Sequence, residues 1–331
     1  MRWSLVSATV WRTAWPATLS LALLLTACAP PSSAPAFSEA SPTQGKLLVV
    51  AAENFWGSIA AQLGGDQVAL VSIISNPDTD PHDYEPSAAN ARLLASARLV
   101  IINGLGYDAW APRLIAANPT QGRLVLNVGD ALGLQPGANP HRWYSPVDVR
   151  SVIDRVTTAY QQLDPAAAPY FAAQHERYVS QGLAAYSQVV ASIRGQFAGQ
   201  RIGASESIAA PLAAGLDLQL ITPPGFLNAI SEGTDPTAAD KATADAQIAQ
   251  HDVTVFLFNT QNATPDVQAQ VNAARARGIP VVAITETLSP ATATFQSWQT
   301  AQLLALQAAL ARATGGGNGA EAPALIGPAA A

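Results

Sequence analysis

The chain has 331 residues, 49% of them apolar and 12% charged, which is enough for two ordinary domains around a sizeable core. Its formal net charge of −6 argues against a nucleic-acid partner, which needs a basic surface. With a single cysteine there is no internal disulfide, so packing must hold the fold together.

Arg2 and Arg12 give the N-terminus a positive start, and the apolar run "ATLSLALLLTA" follows. That run is too short to span a bilayer and has the length of a signal-peptide core. It ends in "LTAC", with the only cysteine, Cys28, in last place. This resembles the bacterial lipobox, which implies cleavage before Cys28 and lipid on its sulfur; the plainer alternative is a secretory signal with an incidental cysteine. Residues 1–28 are therefore expected to be a lipoprotein signal peptide and 29–45, rich in Pro, Ser and Ala, a tether. At the other end, 314–331 lacks periodicity and reads as a disordered tail.

From Lys46 short apolar runs alternate with amphipathic ones. "KLLVVAA" reads as a buried strand, "FWGSIAAQLGG" as a helix closed by Gly64 and Gly65, and "VALVSIIS" as a second strand. Ser87 is placed to cap the helix "AANARLLASA". A strand "RLVIIN", a helix near "DAWAPRLIAA" and a strand "RLVLNV" complete an N-terminal α/β domain with a parallel sheet, which ends near residue 165. "SPVDVRSVIDRVTTAYQQLDP" is helical, with Pro146 in its first turn and a break at Asp164-Pro165. Residues 166–198 then run on without a Gly-Pro stop, about 45 Å if fully helical, and predict a backbone helix linking two domains.

The strand–helix rhythm resumes over 199–313, a second α/β domain. "RIGASE", "DLQLIT", "VTVFLFN" and "IPVVAIT" read as strands. "SIAAPLAAGL", "DPTAADKATADAQIAQH" with Pro236 in its first turn, "PDVQAQVNAARARG" and a closing "TATFQSWQTAQLLALQAALAR" read as helices.

Four polar residues follow strands. His82 lies in "NPDTDPHDYEPS", His141 in "GANPHRWYSP", Glu206 at the end of "RIGASE" and Glu286 directly after "IPVVAIT". Open α/β sheets bind ligands in the crevice at the carboxyl ends of their strands, and each half contributes two of these side chains. Two imidazoles and two carboxylates suit a first-row divalent cation. Prolines beside both histidines lower the cost of ordering the loops. The bland alternatives are that the histidines are surface residues and that each glutamate caps a following helix. His175, within the long helix, and His251 read as structural or solvated. Glu53, Asn54, Asp83, Tyr84 and Glu85 are candidates to receive a ring N–H from a ligating histidine.

"NPDTDPHDYEPSAANARLLASARLVIINGLGYDAW", "NPHRWYSP", "FLNAISEGTDPTAAD" and "GIPVVAITETL" together resemble the metal-binding lipoproteins of ABC importers, the zinc/manganese substrate-binding proteins, over Lys46 to Arg312. The resemblance implies two parallel-sheet (β/α) domains joined by one long backbone helix, with one divalent metal ion, zinc or manganese, held between them as the transported ligand. It implies the ligands His82, His141, Glu206 and Glu286. It also implies a monomer anchored by lipid outside the membrane that hands its ion to a cognate permease, with no enzymatic activity. Glu286 departs from the pattern, which usually carries an aspartate there. A glutamate at the third position looks more like manganese-type members, yet affinity order favours zinc.

Two other functions compete. A metallohydrolase needs an open coordination position and a general base, and neither His-Glu-x-x-His nor Gly-x-Ser-x-Gly is present. A binding protein for a chelated metal or an organic ligand needs aromatic and basic walls; Trp56, Trp110, Trp143 and Tyr144 are placed either to supply these or to pack the base of the cleft.

Overall fold

Alternating apolar runs and capped helices produce the same sheet twice. The computed structural model describes residues 45–77, 79 and 84–315, all within one compact unit. The signal segment with Cys28, nearly all of the tether and tail, and His82 lie outside the described residues.

The N-terminal half runs β1 (Leu47–Glu53), α1 (Asn54–Gly64), β2 (Val68–Ile74), α2 (Ala88–Ser96), β3 (Leu99–Ile102), α3 (Trp110–Ala117), β4 (Leu124–Asn127) and the one-turn α4 (Val128–Ala131). Its strands are all parallel, in the order β2-β1-β3-β4. Ser87 caps α2 through a capping box with Asn90. Three helices follow: α5 (Pro146–Leu163), α6 (Ala168–Arg177) and α7 (Ala184–Phe197). Ser145 caps α5 with Pro146 at its first position, and Asp164 caps a short 3-10 turn that leads into α6. The linking helix contains a feature its sequence did not announce. A π turn at Tyr178–Gly182 joins α6 to α7, with the Leu183 N–H reaching back to the Tyr178 carbonyl at 2.8 Å.

The C-terminal half runs β5 (Arg201–Ala204), α8 (Ala209–Gly215), β6 (Gln219–Leu220), α9 (Pro224–Ser231), α10 (Ala238–Ala249), β7 (Val255–Asn259), α11 (Pro265–Ala276), β8 (Val281–Ile284) and α12 (Phe295–Ala313). Its order, β6-β5-β7-β8, repeats that of the first sheet, again all parallel. The strands alternating with helices thus build the expected pair of β/α domains. Two details differ from the sequence reading. Pro236 precedes α10, whose cap is Thr237, because the Thr237 hydroxyl accepts the Asp240 N–H. The segment "PPGFLNAIS" forms α9, with Pro224 preorganising its first turn and Phe226, Leu227 and Ile230 buried.

One apolar cluster runs through both halves and includes Phe55, Trp56, Trp143, Phe197, Phe256, Phe295 and Trp298. The linking helix is not the sole connection. The first turn of α12 meets α1, where the Phe295 N–H donates to Ser58 Oγ at 2.8 Å and the Gln62 and Gln296 amides bond each other reciprocally at 2.6 and 3.0 Å. A shared core this continuous favours small relative shifts of the halves over wide opening.

Candidate metal centre

β5, β7 and β8 end side by side, and the residues just past them form the C-terminal wall of the site. Glu206 follows β5 by two residues, Asn259 ends β7, and Glu286 follows β8 by two residues. The gap between β5 and β7 is a switch point, since the chain leaves these neighbouring strands towards opposite edges of the sheet. Neither glutamate caps a helix: Ile208 precedes α8 and Thr294 caps α12. Both carboxylates turn inward and are buried, at 1% and 2% exposure.

Asn259 binds both acids. Its Nδ2 donates to Glu206 Oε1 at 2.6 Å and to Glu286 Oε1 at 2.9 Å. Asn262 Nδ2 donates to Glu206 Oε2 at 2.9 Å, and the Tyr107 hydroxyl donates to Glu286 Oε2 at 2.8 Å. Each of the four carboxylate oxygens therefore accepts one bond from a neutral donor. Such donors orient the two carboxylates. Burial, and next the Glu286 charge, push the Tyr107 hydroxyl well above the usual phenol range, so it stays a donor.

The opposite wall comes from the N-terminal half. His141 is fully buried at the head of the turn Arg142–Tyr144. Its ring stands edge-on to Trp143 and Tyr107, with centroids at 5.2 and 5.9 Å, and Trp143 stacks on Phe55 at 3.9 Å. Trp56 is buried in the same cluster, and the Tyr144 hydroxyl donates to the Thr285 carbonyl at 2.8 Å, so these rings form the base of the site. Trp110 lies further off, packed on Tyr84.

The loop that carries His141 is held by polar contacts. Asn139 Oδ1 accepts the His141 N–H at 2.9 Å and lies 3.0 Å from Nδ1, while Asn139 Nδ2 donates across to the Ser207 carbonyl at 2.7 Å. This arrangement fixes Nδ1 as the protonated nitrogen and suits Nε2 to ligation. The residue that receives the ring N–H is thus an amide in the same loop rather than any of the acids near β1 or His82.

Behind Tyr107, the turn "NGLGYD" is built on Gly104, at φ +74°, where a Cβ would lie 2.0 Å from Asn127 Oδ1. The Asp108 carboxylate accepts the N–H groups of Asn103 and Gly104 at 2.6 and 2.9 Å. Asn103 in turn accepts from Trp56 Nε1 at 3.0 Å and donates to the Pro140 carbonyl at 3.0 Å, beside His141. Glu53 is also fully buried, and Asp108 is the charged group that acts on it most. Burial, then the Asp108 charge, hold the Glu53 carboxyl well above the usual range. Burial also pushes Asp108 up to about 6 despite its N–H bonds.

One donor atom each from His141, Glu206 and Glu286 lies within 4.8 Å of the other two, a spacing that a single cation can bridge. Of the four ligands expected from the sequence, the structure brings these three together, and His82 falls outside the described residues. His175 pairs with Asp154 on the surface at 2.7 Å, and His251 is exposed in a turn. A groove of about 330 Å³ opens beside His141, lined by Asn139, Ser207, Asn228, Ser231 and Glu232 among others; among the described residues no lysine or arginine lines it. Among the described residues no helix is long and apolar enough to cross a membrane.

Comparison with known proteins agrees with this geometry. Over 80% of the chain, the fold superposes on a manganese-bound periplasmic metal binding protein mutant from candidatus liberibacter asiaticus, with a TM-score of 0.68, 17% identity and 100% of that chain covered. It superposes equally over 80% of its length on the periplasmic zinc binding protein TroA from Treponema pallidum, with a TM-score of 0.66, 19% identity and 99% coverage. In sequence it is 30% identical to the iron-binding protein YfeA of Yersinia pestis over 144 residues, which is 42% of this chain and 46% of that protein. It is 31% identical to the manganese ABC transporter substrate-binding lipoprotein PsaA of Streptococcus pneumoniae over 111 residues, 30% of this chain and 36% of that protein. The chain thus spans less than half the length of the curated relatives it matches. The model of the family described as zinc-uptake complex component A, periplasmic, matches residues 49–309, and the chain belongs to this ZnuA family of solute-binding transport proteins, which are not enzymes.

Proposed function

We propose that this protein is the extracytoplasmic substrate-binding component of an ABC importer, capturing one divalent first-row metal ion and delivering it to a membrane permease. The observation that carries this reading is the buried convergence of His141, Glu206 and Glu286. One imidazole and two carboxylates converging at a buried point are a donor set that a single divalent cation bridges. His82 is the fourth donor in this reading, on the strength of its sequence motif. A site closed by four protein ligands suits capture, whereas hydrolysis needs a position left for water.

The donor set admits zinc, manganese and iron(II), and these are the metals named for the similar proteins. Zinc should bind most tightly of the three in a direct titration. Among the described residues the groove beside His141 has no basic walls of the kind a charged chelate requires, which favours the bare ion as cargo. Lipid attachment at Cys28 would place the protein at the outer face of the membrane, with residues 29–45 as tether, 46–165 and 199–313 as the two domains and 166–198 as their link.

Elemental analysis of the purified protein, followed by calorimetric titration of the metal-free form with zinc, manganese and iron(II), tests the proposal. One ion per chain is expected. A protein that takes up none of them, or binds equally well after joint His141→Ala and Glu206→Ala substitution, would falsify it.

A further inference from the structure

Two primary amides outside the ligand set join the halves next to the centre. On leaving β8 the chain presents three successive backbone N–H groups, from Glu286, Thr287 and Leu288. Gln261 Oε1 accepts the first two, at 2.6 and 3.0 Å, and Asn54 Oδ1 accepts the third at 3.2 Å. The same two side chains donate in the other direction, to the segment that continues β2 in the N-terminal half. Gln261 Nε2 bonds the Pro77 carbonyl, and Asn54 Nδ2 reaches the Ser75 carbonyl at 3.5 Å. Gln261 Nε2 also donates to Thr287 Oγ1 at 2.9 Å. Each amide therefore accepts from the turn that carries Glu286 and donates to Ser75–Pro77. Asn54 belongs to the N-terminal half and Gln261 to the C-terminal half, so the tie is built from both sides.

A primary amide fills this role by accepting on its oxygen and donating from its nitrogen. A carboxylate accepts N–H groups but cannot donate to a carbonyl, and an aliphatic side chain does neither. Gln261 is also coupled to the ligands themselves. Its own N–H donates to Asn259 Oδ1 at 3.0 Å, and the Asn259 amide is the group that holds both carboxylates. Separating the halves here breaks bonds that end directly on the turn of Glu286 and on the anchor of Glu206.

We infer that Gln261, assisted by Asn54, is a positioning residue that clips the Glu286–Leu288 turn to Ser75–Pro77 and thereby sets how slowly the centre releases its ion. The inference rests on the metal-capture reading above. Association depends mainly on access and charge, which the clip leaves unchanged, so its effect falls on dissociation.

The test uses the full chain and zinc. Wild type, Gln261→Glu, Gln261→Ala and Gln296→Ala are loaded with zinc, and release is timed after addition of excess chelator; association rates and amide exchange at Glu286–Leu288 are measured in parallel. Gln296 lies in the amide pair between α1 and α12, also across the halves but outside the contacts that hold the ligands, and serves as the control. Gln261→Ala is expected to release zinc about tenfold faster, with association within about twofold and faster exchange at residues 286 and 287, on the scale of outer contacts to metal ligands. Gln261→Glu keeps an acceptor for those N–H groups but loses the donor to Pro77, and is expected to release zinc faster with exchange at 286 and 287 unchanged. Gln296→Ala is expected to release at the wild-type rate. Wild-type release from Gln261→Ala despite lost amide protection overturns the inference, as does equal acceleration by Gln296→Ala. Wild-type protein that takes up no zinc overturns the metal reading and the inference with it, whereas the other failures overturn the clip alone.

Discussion

The C-terminal half offers its two carboxylates from just past β5 and β8, two residues beyond regular backbone, and a single amide at the end of β7 spans both. The N-terminal half repeats the same strand order but offers His141 from a loop after α4, held by Asn139 and bedded on Trp143 and Phe55. The first arrangement is held by hydrogen bonds at a sheet end; the second adds aromatic packing to its hydrogen bonds. One scaffold used twice therefore presents candidate ligands by two physical routes, and the routes should fail differently when disturbed.

The largest effect should come from the ligands themselves and be equal for the two halves. His141→Ala and Glu206→Ala are each expected to weaken zinc affinity by about 1,000-fold, the scale of removing one partner from a buried charge pair. Calorimetry reads this directly, and a large loss from only one of them would break the symmetry of the site. Next, Trp143→Ala should separate the halves. It removes a fully buried ring and should cost about 3–5 kcal/mol of stability in denaturant unfolding of metal-free protein. Asn259→Ala, by contrast, should act on binding, lowering affinity by about 10–100-fold, as for other groups that orient ligands. If it instead destabilises the metal-free protein as much as Trp143→Ala does, the contrast between packing and hydrogen bonding is lost. Tyr107→Phe removes one bond to Glu286 across the halves and should weaken binding by about tenfold or less.

The smallest effect concerns the acid pair behind Tyr107. Both Glu53 and Asp108 titrate above their usual range when folded, so the stability they contribute is full at low pH and is lost as pH rises. For Asp108 the window runs from its ordinary 3.8 to about 6, and for Glu53 it opens upward from its ordinary value. Glu53→Gln cannot ionise. Unfolding of the metal-free variant measured at about pH 5 and about pH 8 should therefore show a shallower fall in stability than wild type. An unchanged slope would mean that Glu53 does not titrate above its usual range.

Much of the fold was legible because local rules agreed with tertiary ones. Apolar strand runs, Ser87 as a cap and Pro146 in a first turn all act within a few residues and appear where expected. The segment 224–231 was missed as a helix because Pro223, Pro224 and Gly225 at its start mask an apolar face, Phe226, Leu227 and Ile230, that only tertiary packing buries. The π turn was hidden for a related reason: the residues of Tyr178–Gly182 are ordinary helix formers apart from the glycine, and the extra residue in the turn emerges only as the helix continues between the two domains.

The candidate ligands were legible as residue types that follow strands, and three of the four meet in the structure. The groups that hold them were not. "FNTQN" after β7 carries three amides, a cluster that could have flagged the strand end, but neither spacing nor composition reveals that Asn259 spans two acids contributed by different strands.

The sequence by itself determined the strand–helix alternation, the long link and the placing of Glu206 and Glu286 just beyond strands, because these follow from periodicity and caps read over short distances. Only the tertiary structure decided which side chains neutral donors would orient, that Asn139 rather than an acid would receive the His141 ring N–H, and that Gln261 and Asn54 would join the halves. Those choices depend on residues up to 234 positions apart meeting at sheet ends, and such contacts exist only once both domains have packed on one core.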